Sequence, residues 1–185
     1  MERGLEAIEK VTGARPAGYR SPAWDMSPHT IDFLLEYHFT YDSSLMANDF
    51  QLYWCRKGDQ WSIDTPFFFG EPTSLVEVPV TWWLDDFPPS EFVWQAQRIN
   101  PGLYSPSHVY ELWSSEFDYM YENVPGGVYN IAFHPQVSGR GNRIVVLEKL
   151  INHMKSQEGV RFERIGDYVQ RWLVSQKKEG ASAER

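Results

Sequence analysis

Apolar residues recur along the chain at two spacings, and the alternation between these spacings predicts alternating helices and strands. Helical spacing, with glycine or proline at several boundaries, predicts helices over residues 2–12, 28–38, 106–120, 143–155 and 166–176. Extended or alternating runs predict strands over residues 39–46, 61–69, 75–81, 128–133 and 160–162. Because strand and helix follow each other repeatedly, the pattern indicates parallel strands with crossover helices, as in an α/β sheet or barrel.

The composition excludes several classes of protein. Among 185 residues, 25 are acidic and 17 basic, which gives a net charge of −8 and a surface that repels nucleic-acid phosphates. Hydrophobic residues make up 42% of the chain, which is enough for a core. No apolar run approaches the roughly 20 residues that cross a bilayer, and the start lacks the apolar stretch of a signal peptide. We therefore expect no nucleic-acid or membrane partner and, for the chain as it stands, a cytoplasmic location.

The aromatic residues and the single cysteine add little to the choice between classes of protein. Aromatic rings make up 16% of the residues, and rings fill cores or, along a cleft, stack on sugars. Composition alone does not separate these two uses. Cys55 is the one cysteine, which excludes an internal disulfide.

In α/β folds the chemistry lies where strands end, and His134 is the most informative residue at such a position. His134 ends an apolar run, precedes Pro135 and leads into a Gly-Arg-Gly turn before a helix. An imidazole gains and loses a proton near neutral pH, and it can protonate a leaving group there. A histidine that only hydrogen-bonds the end of a strand is an equally good interpretation.

Two further strand ends carry charged groups that could act with this histidine. Asp85 and Asp86 close another predicted strand, and a buried carboxylate behind an imidazole fixes its tautomer. Paired Asp before Phe-Pro-Pro is also an ordinary turn and helix start. Arg20 could hold a carboxylate through two hydrogen bonds, or it could be a surface arginine in a loop.

The order of four segments carries a family resemblance. GYRSPAWDMS, EVPVTWWLDD, IAFHPQVSGR and GVRFERIGDYVQRW resemble the carboxyl-terminal half of the polysaccharide deacetylase superfamily, the NodB-homology domains of carbohydrate esterase family four type. The residues of these segments are most similar to the branch of the superfamily with peptidoglycan deacetylase-like and allantoinase-like members. The resemblance implies an α/β fold, an incomplete and distorted (β/α) barrel of TIM-like type without its first strands. It covers residues 1–175 as part of one domain, and residues 176–185 are expected to form a polar tail.

The resemblance also implies roles for individual residues. His134 corresponds to the general acid that protonates the departing amine, and Asp85, with Asp86 as second choice, corresponds to the acid that holds this histidine. Arg20 corresponds to the arginine that orients the catalytic base. Three tryptophans correspond to walls of the substrate groove, with packing as the alternative for each: Trp24, Trp82 and Trp83.

Two segments that the family carries ahead of these motifs are absent from the sequence. A Thr-Phe-Asp-Asp-like segment holds the base and one ligand of a divalent, zinc-like metal, and a His-x-x-x-His-like segment holds two more ligands. No histidine pair has that spacing among His29, His38, His108, His134 and His153. We therefore expect the chain to be truncated within a domain and to bind no catalytic metal alone. An uncovered sheet edge after Gly13 would favour aggregation or a homo-oligomer.

The function implied by the resemblance is a metal-dependent hydrolase of non-peptide carbon–nitrogen bonds. Its substrate would be an amino-sugar polymer, from which it removes acetyl groups, or a small cyclic amide or ureide. Because water attack on an amide needs the metal, this chain alone is expected to be inactive. A non-catalytic carbohydrate-binding module and a truncated remnant are the alternatives, and glycan binding by the isolated chain would favour the module.

Overall fold

The computed structural model describes residues 1–95 and 98–183, and the chain forms two compact units. The first unit comprises Met1–Asn48, Leu52–Pro79 and Glu163–Arg185, and the second comprises Asp49–Gln51 and Val80–Phe162. The helices are α1 (Glu2–Thr12), α2 (Thr30–Glu36), α3 (Phe87–Ser90), α4 (Pro106–Asn123), α5 (Pro135–Ser138), α6 (Gly141–Lys155) and α7 (Ile165–Ala183). The strands are β1 (Gly18–Tyr19), β2 (Tyr41–Asp42), β3 (Tyr53–Lys57), β4 (Gln60–Ser62), β5 (Thr65–Phe68), β6 (Glu71–Glu77), β7 (Val93–Gln95) and β8 (Arg98–Asn100). Within the described ranges, none of the helices is both long enough and apolar enough to traverse a bilayer.

The first unit is built on a mixed sheet with the strand order β1-β2-β6-β3. β1, β2 and β6 run parallel, whereas β3 pairs antiparallel with β6. Within the described residues β1 is an end strand of this sheet, and the expected incompleteness of a barrel stays a prediction. The sheet is open in this part of the chain, and barrel closure is not seen there.

Helices supply the apolar cover of this sheet. α1 ends at Gly13, which has the left-handed φ of 73° that glycine adopts without strain. The buried cluster of the first unit combines residues from α1, α2, the segment between α2 and β2, and the sheet: Leu5, Leu34, Phe39, Cys55 and Leu75.

The second unit is mainly helical, and α4 packs against α6 around its core. Ser105 begins α4 as predicted, because its hydroxyl accepts the His108 N–H while Pro106 occupies the first turn. The buried cluster contains Phe50, Leu84, Val109, Trp113, Phe117, Met120, Val146, Leu150 and Met154.

Several predicted elements differ in extent. Residues 61–69 form parts of the hairpin β4–β5 rather than one strand, and residues 128–133 and 160–162 form no ladder. The backbone of residues 128–132 instead makes single hydrogen bonds to separate parts of the chain. Val128 N–H donates to Phe50 O, and Ala132 N–H donates to Leu84 O. The expected polar tail is helical as far as Ala183.

Candidate active site

Asp86 and His134 meet where two backbone segments of the second unit form a single parallel bridge. Asp85 bridges Ala132, and Asp86 N–H donates to Ala132 O at 3.2 Å. His134 Nδ1 lies 2.6 Å from Asp86 Oδ1, and His134 N–H donates to Asp86 Oδ2 at 2.9 Å. The Ser138 hydroxyl donates to the same Oδ2 at 2.5 Å. The start of α5 therefore surrounds the Asp86 carboxylate with three donors.

This arrangement determines which imidazole nitrogen can exchange a proton with a substrate. An ionised carboxylate only accepts hydrogen bonds, so His134 Nδ1 carries the proton that points at Asp86. Asp86 is fully buried, while the His134 side chain is 40% exposed. His134 Nε2 is thus the nitrogen left for proton transfer, and the buried carboxylate fixes the orientation of the ring.

The structure corrects the choice of Asp85 as the acid that holds His134. Asp85 Oδ1 lies 4.0 Å from His134 Nδ1, which is beyond hydrogen-bond distance. Asp85 Oδ1 instead accepts the Phe87 N–H at 2.7 Å and supports the start of α3. The extended backbone ends at Asp85, because Asp86 has helical angles (φ −79°, ψ −16°) at the start of α3, and its carboxylate contacts the histidine. The catalytic role of His134 itself stays a prediction.

Trp82 and Trp83 lie in the second unit, directly before these acids. They form a 3₁₀ turn, Trp82–Leu84, in which the Thr81 side chain accepts the Trp83 N–H. Trp83 O accepts the indole N–H of Trp113 at 3.1 Å, which anchors the turn to α4. The side chains of Trp82 and Trp83 are 48% and 66% exposed, which argues against the packing alternative. Their contact with substrate stays a prediction.

Arg20 follows β1 in the first unit, where its guanidinium holds the loop after β2. Nε donates to Ser43 O at 3.0 Å, and Nη2 donates to Ser43 Oγ at 2.8 Å. Arg20 is half-buried and lies at the carboxyl end of the parallel strands, unlike an ordinary surface arginine. Trp24 is half-buried too, and with Ala23 it adopts left-handed φ values of 54° and 53°. Such strain in non-glycine residues is concentrated at functional sites.

Arg20 and Trp24 belong to the first unit, and His134 belongs to the second. The structure brings His134, Asp85 and Asp86 together, but a common site with Arg20 stays a prediction. Sequence analysis missed Ser138. Its position is the signal that could have identified it: Ser138 follows His134 by four residues, one helical turn, which places the two side chains on the same face.

The Asp85, Asp86 and His134 cluster brings three potential ligand atoms within 4.8 Å of one another, yet it does not fit a zinc-like ion. Two ligands of a tetrahedral zinc ion lie about 3.4 Å apart, given Zn–N and Zn–O distances near 2.1 Å. His134 Nδ1 and Asp86 Oδ1 are only 2.6 Å apart, which is a direct hydrogen bond. Because Asp86 Oδ2 also accepts two hydrogen bonds, the cluster fits proton transfer instead.

Comparisons with known proteins decide the family. No protein-family model matches the chain. The peptidoglycan deacetylase of Helicobacter pylori is 38% identical over 178 residues, which cover 89% of this chain and 60% of that protein. A crystal structure described as a polysaccharide deacetylase from Mycobacterium smegmatis is 31% identical and superposes with a TM-score of 0.74, covering 95% of this chain and 55% of that one. The chain belongs to the polysaccharide deacetylase superfamily.

Two more distant matches agree with this polysaccharide deacetylase assignment. A peptidoglycan deacetylase-like protein of Gibberella zeae is 26% identical over 175 residues, which cover 84% of this chain and 50% of that protein. A structure described as a polysaccharide deacetylase from Pseudomonas aeruginosa is 22% identical with a TM-score of 0.70, covers 93% of this chain and 51% of that one, and bears on the fold alone. The predicted α/β fold of polysaccharide deacetylase type is therefore confirmed. The chain spans between half and three fifths of the length of these curated relatives.

Proposed function

We propose that this chain supplies the proton-donating side of a hydrolase that removes acetyl groups from the N-acetylated amino sugars of a polymer such as peptidoglycan. The observation that carries the proposal is the pair formed by the buried Asp86 carboxylate and the half-exposed His134 imidazole. Similarity to the Helicobacter pylori peptidoglycan deacetylase favours the polymer over a small cyclic amide or ureide.

In the proposed reaction His134 acts as general acid when the amide C–N bond breaks. An amine leaves as a neutral molecule only if its nitrogen receives a proton. The His134 cation keeps its Nδ1 proton, which is hydrogen-bonded to Asp86, and transfers its Nε2 proton to the departing nitrogen. The imidazole becomes neutral in this step, while Asp86 holds it in the same orientation. Ser138 and the His134 N–H hold the Asp86 carboxylate in place through hydrogen bonds to Oδ2.

The opposite side of the reaction, where water adds to the carbonyl carbon, needs a base and an electrophile. The family uses an aspartate and a divalent, zinc-like metal for these tasks, and the His134 cluster does not fit that metal. We infer that the ligands of the metal lie outside this cluster, and that the 185-residue chain alone does not turn over substrate. Arg20, held by Ser43, is the proposed orienting group for the base.

A second candidate function is carbohydrate binding without turnover. The specific observation in its favour is the exposure of two adjacent indoles, Trp82 and Trp83, beside the His134 site. Flat aromatic faces stack on sugar rings, which needs no metal. Under this proposal the isolated chain binds the glycan, and both tryptophans contribute.

Acetate release from N-acetylated peptidoglycan in the presence of zinc tests these proposals. The assay compares the isolated chain with a chimera in which residues 1–175 replace the matching segment of the Helicobacter pylori enzyme. We expect acetate from the chimera only. A chimera that folds by circular dichroism but releases no acetate would contradict the first proposal.

Glycan binding by the isolated chain tests the second candidate. Loss of binding in Trp82→Ala and Trp83→Ala, with binding retained in Trp61→Ala, would support a binding module. Trp61 is a suitable control because it is an exposed tryptophan of β4 in the first unit. Equal binding by all three variants would rule out the two indoles as the glycan platform.

A further inference from the structure

Two acidic side chains lie side by side inside the first unit. Asp42 ends β2 and Glu77 ends β6, and the two residues are register partners across this parallel pair of strands. Both residues are completely buried. Because register partners on neighbouring strands point to the same face of a sheet, the two carboxyl groups meet. A buried pair of like charges needs compensation.

Hydrogen bonds satisfy one oxygen of each carboxyl group. Glu77 Oε1 accepts the N–H groups of Ser44 and Leu45 at 2.8 and 2.9 Å, and Asp42 Oδ1 accepts the Ser44 hydroxyl at 2.9 Å. The other two oxygens, Asp42 Oδ2 and Glu77 Oε2, are buried and receive no donor from the described residues. One proton placed between these oxygens would satisfy both of them, and it would remove one of the two charges.

We propose that Asp42 and Glu77 share this proton, with Glu77 as the carboxylic acid that donates to Asp42, and that the pair positions Arg20. The two backbone N–H bonds are made by Glu77 Oε1, which leaves Oε2 as the oxygen that carries the proton. Asp42 is then the anion of the pair and accepts from both Glu77 and Ser44.

The charges around the pair support this assignment of the proton. Burial, together with the charge of Asp42, raises the pKa of Glu77 to about 9. Burial also raises the pKa of Asp42, although hydrogen bonds with Ser44 and Glu77 offset part of this rise. From β3, Tyr53 and Cys55 experience the charge of Glu77, and burial raises the pKa of both, that of Cys55 to about 12. These neighbours from β3 are neutral at pH 7 and cannot compensate a second carboxylate.

Two adjacent residues, Ser44 and Ser43, connect the pair to Arg20: Ser44 bonds to the carboxyl groups and Ser43 bonds to the guanidinium. Ser44 donates to Asp42 through its hydroxyl and to Glu77 through its N–H, and its hydroxyl oxygen accepts the Ser21 N–H at 2.8 Å. Ser43, the preceding residue, donates its hydroxyl to Val78 O at 2.8 Å and accepts both bonds from Arg20. Loss of the shared proton would set two carboxylates against each other directly beneath this loop. The catalytic meaning of this link rests on the proposed function, whereas the shared proton itself does not.

Glu77→Gln in the 185-residue chain is the decisive variant. Glutamine keeps the shape, accepts the same two N–H bonds and donates an amide N–H to Asp42, as the protonated acid does. Because the folded pKa of Glu77 is raised above its usual 4.5, its contribution to stability is full below about pH 4.5 and is lost as the pH rises towards about 9. Relative to Glu77→Gln, the folding equilibrium constant of the wild type should fall about tenfold per pH unit in this window.

Urea denaturation between pH 5 and 9 measures this difference, with Glu71→Gln as the matched control. Glu71 is an exposed glutamate of the same strand, β6, and its replacement should leave the pH dependence of the wild type unchanged. Infrared difference spectra at pH 7 should show the band of an un-ionised carboxyl group that Glu77→Gln removes and Glu71→Gln retains. Parallel pH profiles for wild type and Glu77→Gln, or no such band, would overturn the shared proton.

The positioning of Arg20 has its own readout in the Arg20 Nε–H signal of a ¹⁵N NMR spectrum. Glu77→Ala should shift or broaden this signal, and Glu77→Gln should restore it to the wild-type position. An unchanged Arg20 signal in a folded Glu77→Ala protein would overturn the positioning role. If Glu77→Ala does not fold, the Arg20 ¹³Cζ signal, which carries no exchangeable proton, followed in the wild type from pH 6 to 10 decides, since it should change as Glu77 loses its proton and should stay constant in Glu77→Gln. None of these measurements uses catalytic activity, so their failure is separate from failure of the proposed function.

Discussion

The second unit contains two histidine–aspartate pairs with the same contact distance and different surroundings. His134 Nδ1 lies 2.6 Å from Asp86 Oδ1, and His153 Nε2 lies 2.6 Å from Asp118 Oδ1. Asp86 is fully buried and accepts three hydrogen bonds, whereas the Asp118 side chain is 47% exposed. The first pair joins two strand-end loops, while the second joins the helices α4 and α6.

The comparison shows that a short contact between imidazole and carboxylate does not by itself make a proton-transfer site. At His153 the contact uses Nε2, the outer nitrogen of the ring, on a carboxylate that water also solvates. At His134 the contact uses Nδ1 and a fully buried carboxylate that accepts three hydrogen bonds. Nε2 is left for a substrate. The two pairs therefore differ in the burial of the acid and in the nitrogen that it binds. These differences distinguish a candidate catalytic pair, at His134, from a structural contact between two helices, at His153.

The largest expected difference between the pairs is in catalysis. In the chimera with the Helicobacter pylori enzyme, His134→Ala should lower the rate of acetate release by roughly 10²–10⁴-fold, the usual effect of losing a general acid. His153→Ala should leave the rate near that of the unmutated chimera. Full activity of His134→Ala would contradict the role as general acid and would leave His134 as a histidine that only hydrogen-bonds the end of a strand.

A smaller difference is expected in stability. Asp86→Ala leaves the Ser138 hydroxyl and the His134 N–H groups without their acceptor in a buried place, which should destabilise the chain by about 3 kcal/mol. Asp118→Ala removes an exposed partner and should change the free energy of unfolding by roughly 0–1 kcal/mol. Urea denaturation of both variants measures this, and equal losses would show that the two carboxylates have equivalent surroundings.

The next difference concerns the tautomers of the neutral rings and involves no loss of function. Long-range ¹H–¹⁵N NMR correlations should show the proton of His134 on Nδ1 and that of His153 on Nε2, because each ring donates to its aspartate. Asp86→Asn should disturb the His134 pattern alone. The same tautomer on both rings would contradict the contrast between the pairs.

The smallest expected effect is the response to zinc, where neither pair should bind the ion. Calorimetric titration of the 185-residue chain should give no stoichiometric, chelator-competitive binding, since both contacts are direct hydrogen bonds and the metal-binding segments of the family are absent from the sequence. Tight 1:1 binding that Asp85→Ala abolishes would show that the His134 cluster rearranges to take a metal.

The sequence predicted the helices better than the strands, for a physical reason. Helices such as α1, α4 and α6 are determined by local spacing and by end signals such as Gly13 and Ser105-Pro106. Strand length depends on partners that are distant in sequence. The apolar run at 128–133 therefore resembles a strand in sequence, although its backbone makes only single hydrogen bonds, to Phe50 and to Leu84.

The candidate site was predictable in its residue types and less so in its pairings. The family resemblance pointed to His134 and to the acids beside it. The choice between Asp85 and Asp86 depends on the change from extended to helical backbone at Asp86, directly after the bridge between Asp85 and Ala132, and no local pattern encodes this change. The Asp42–Glu77 pair was missed altogether, because acidic residues in short strands are ordinarily read as exposed, and only the register of β2 with β6 brings the two together.

The mixed order of the sheet has a consequence for how the chain reaches its native state. β3 and β6 are joined through the intervening hairpin, so their antiparallel ladder closes over a short stretch, with Lys57 opposite Glu71. β2 must find β6 across a longer gap, with Tyr41 opposite Val76, and β1 adds to β2. Since closing longer loops costs more entropy before contacts repay it, we expect the hairpin to form early and β1 with β2 to dock late. The loops that carry Arg20 and Ser43 would then be the last part of the sheet to become ordered, and hydrogen-exchange labelling during refolding would show them protected after β3 and β6.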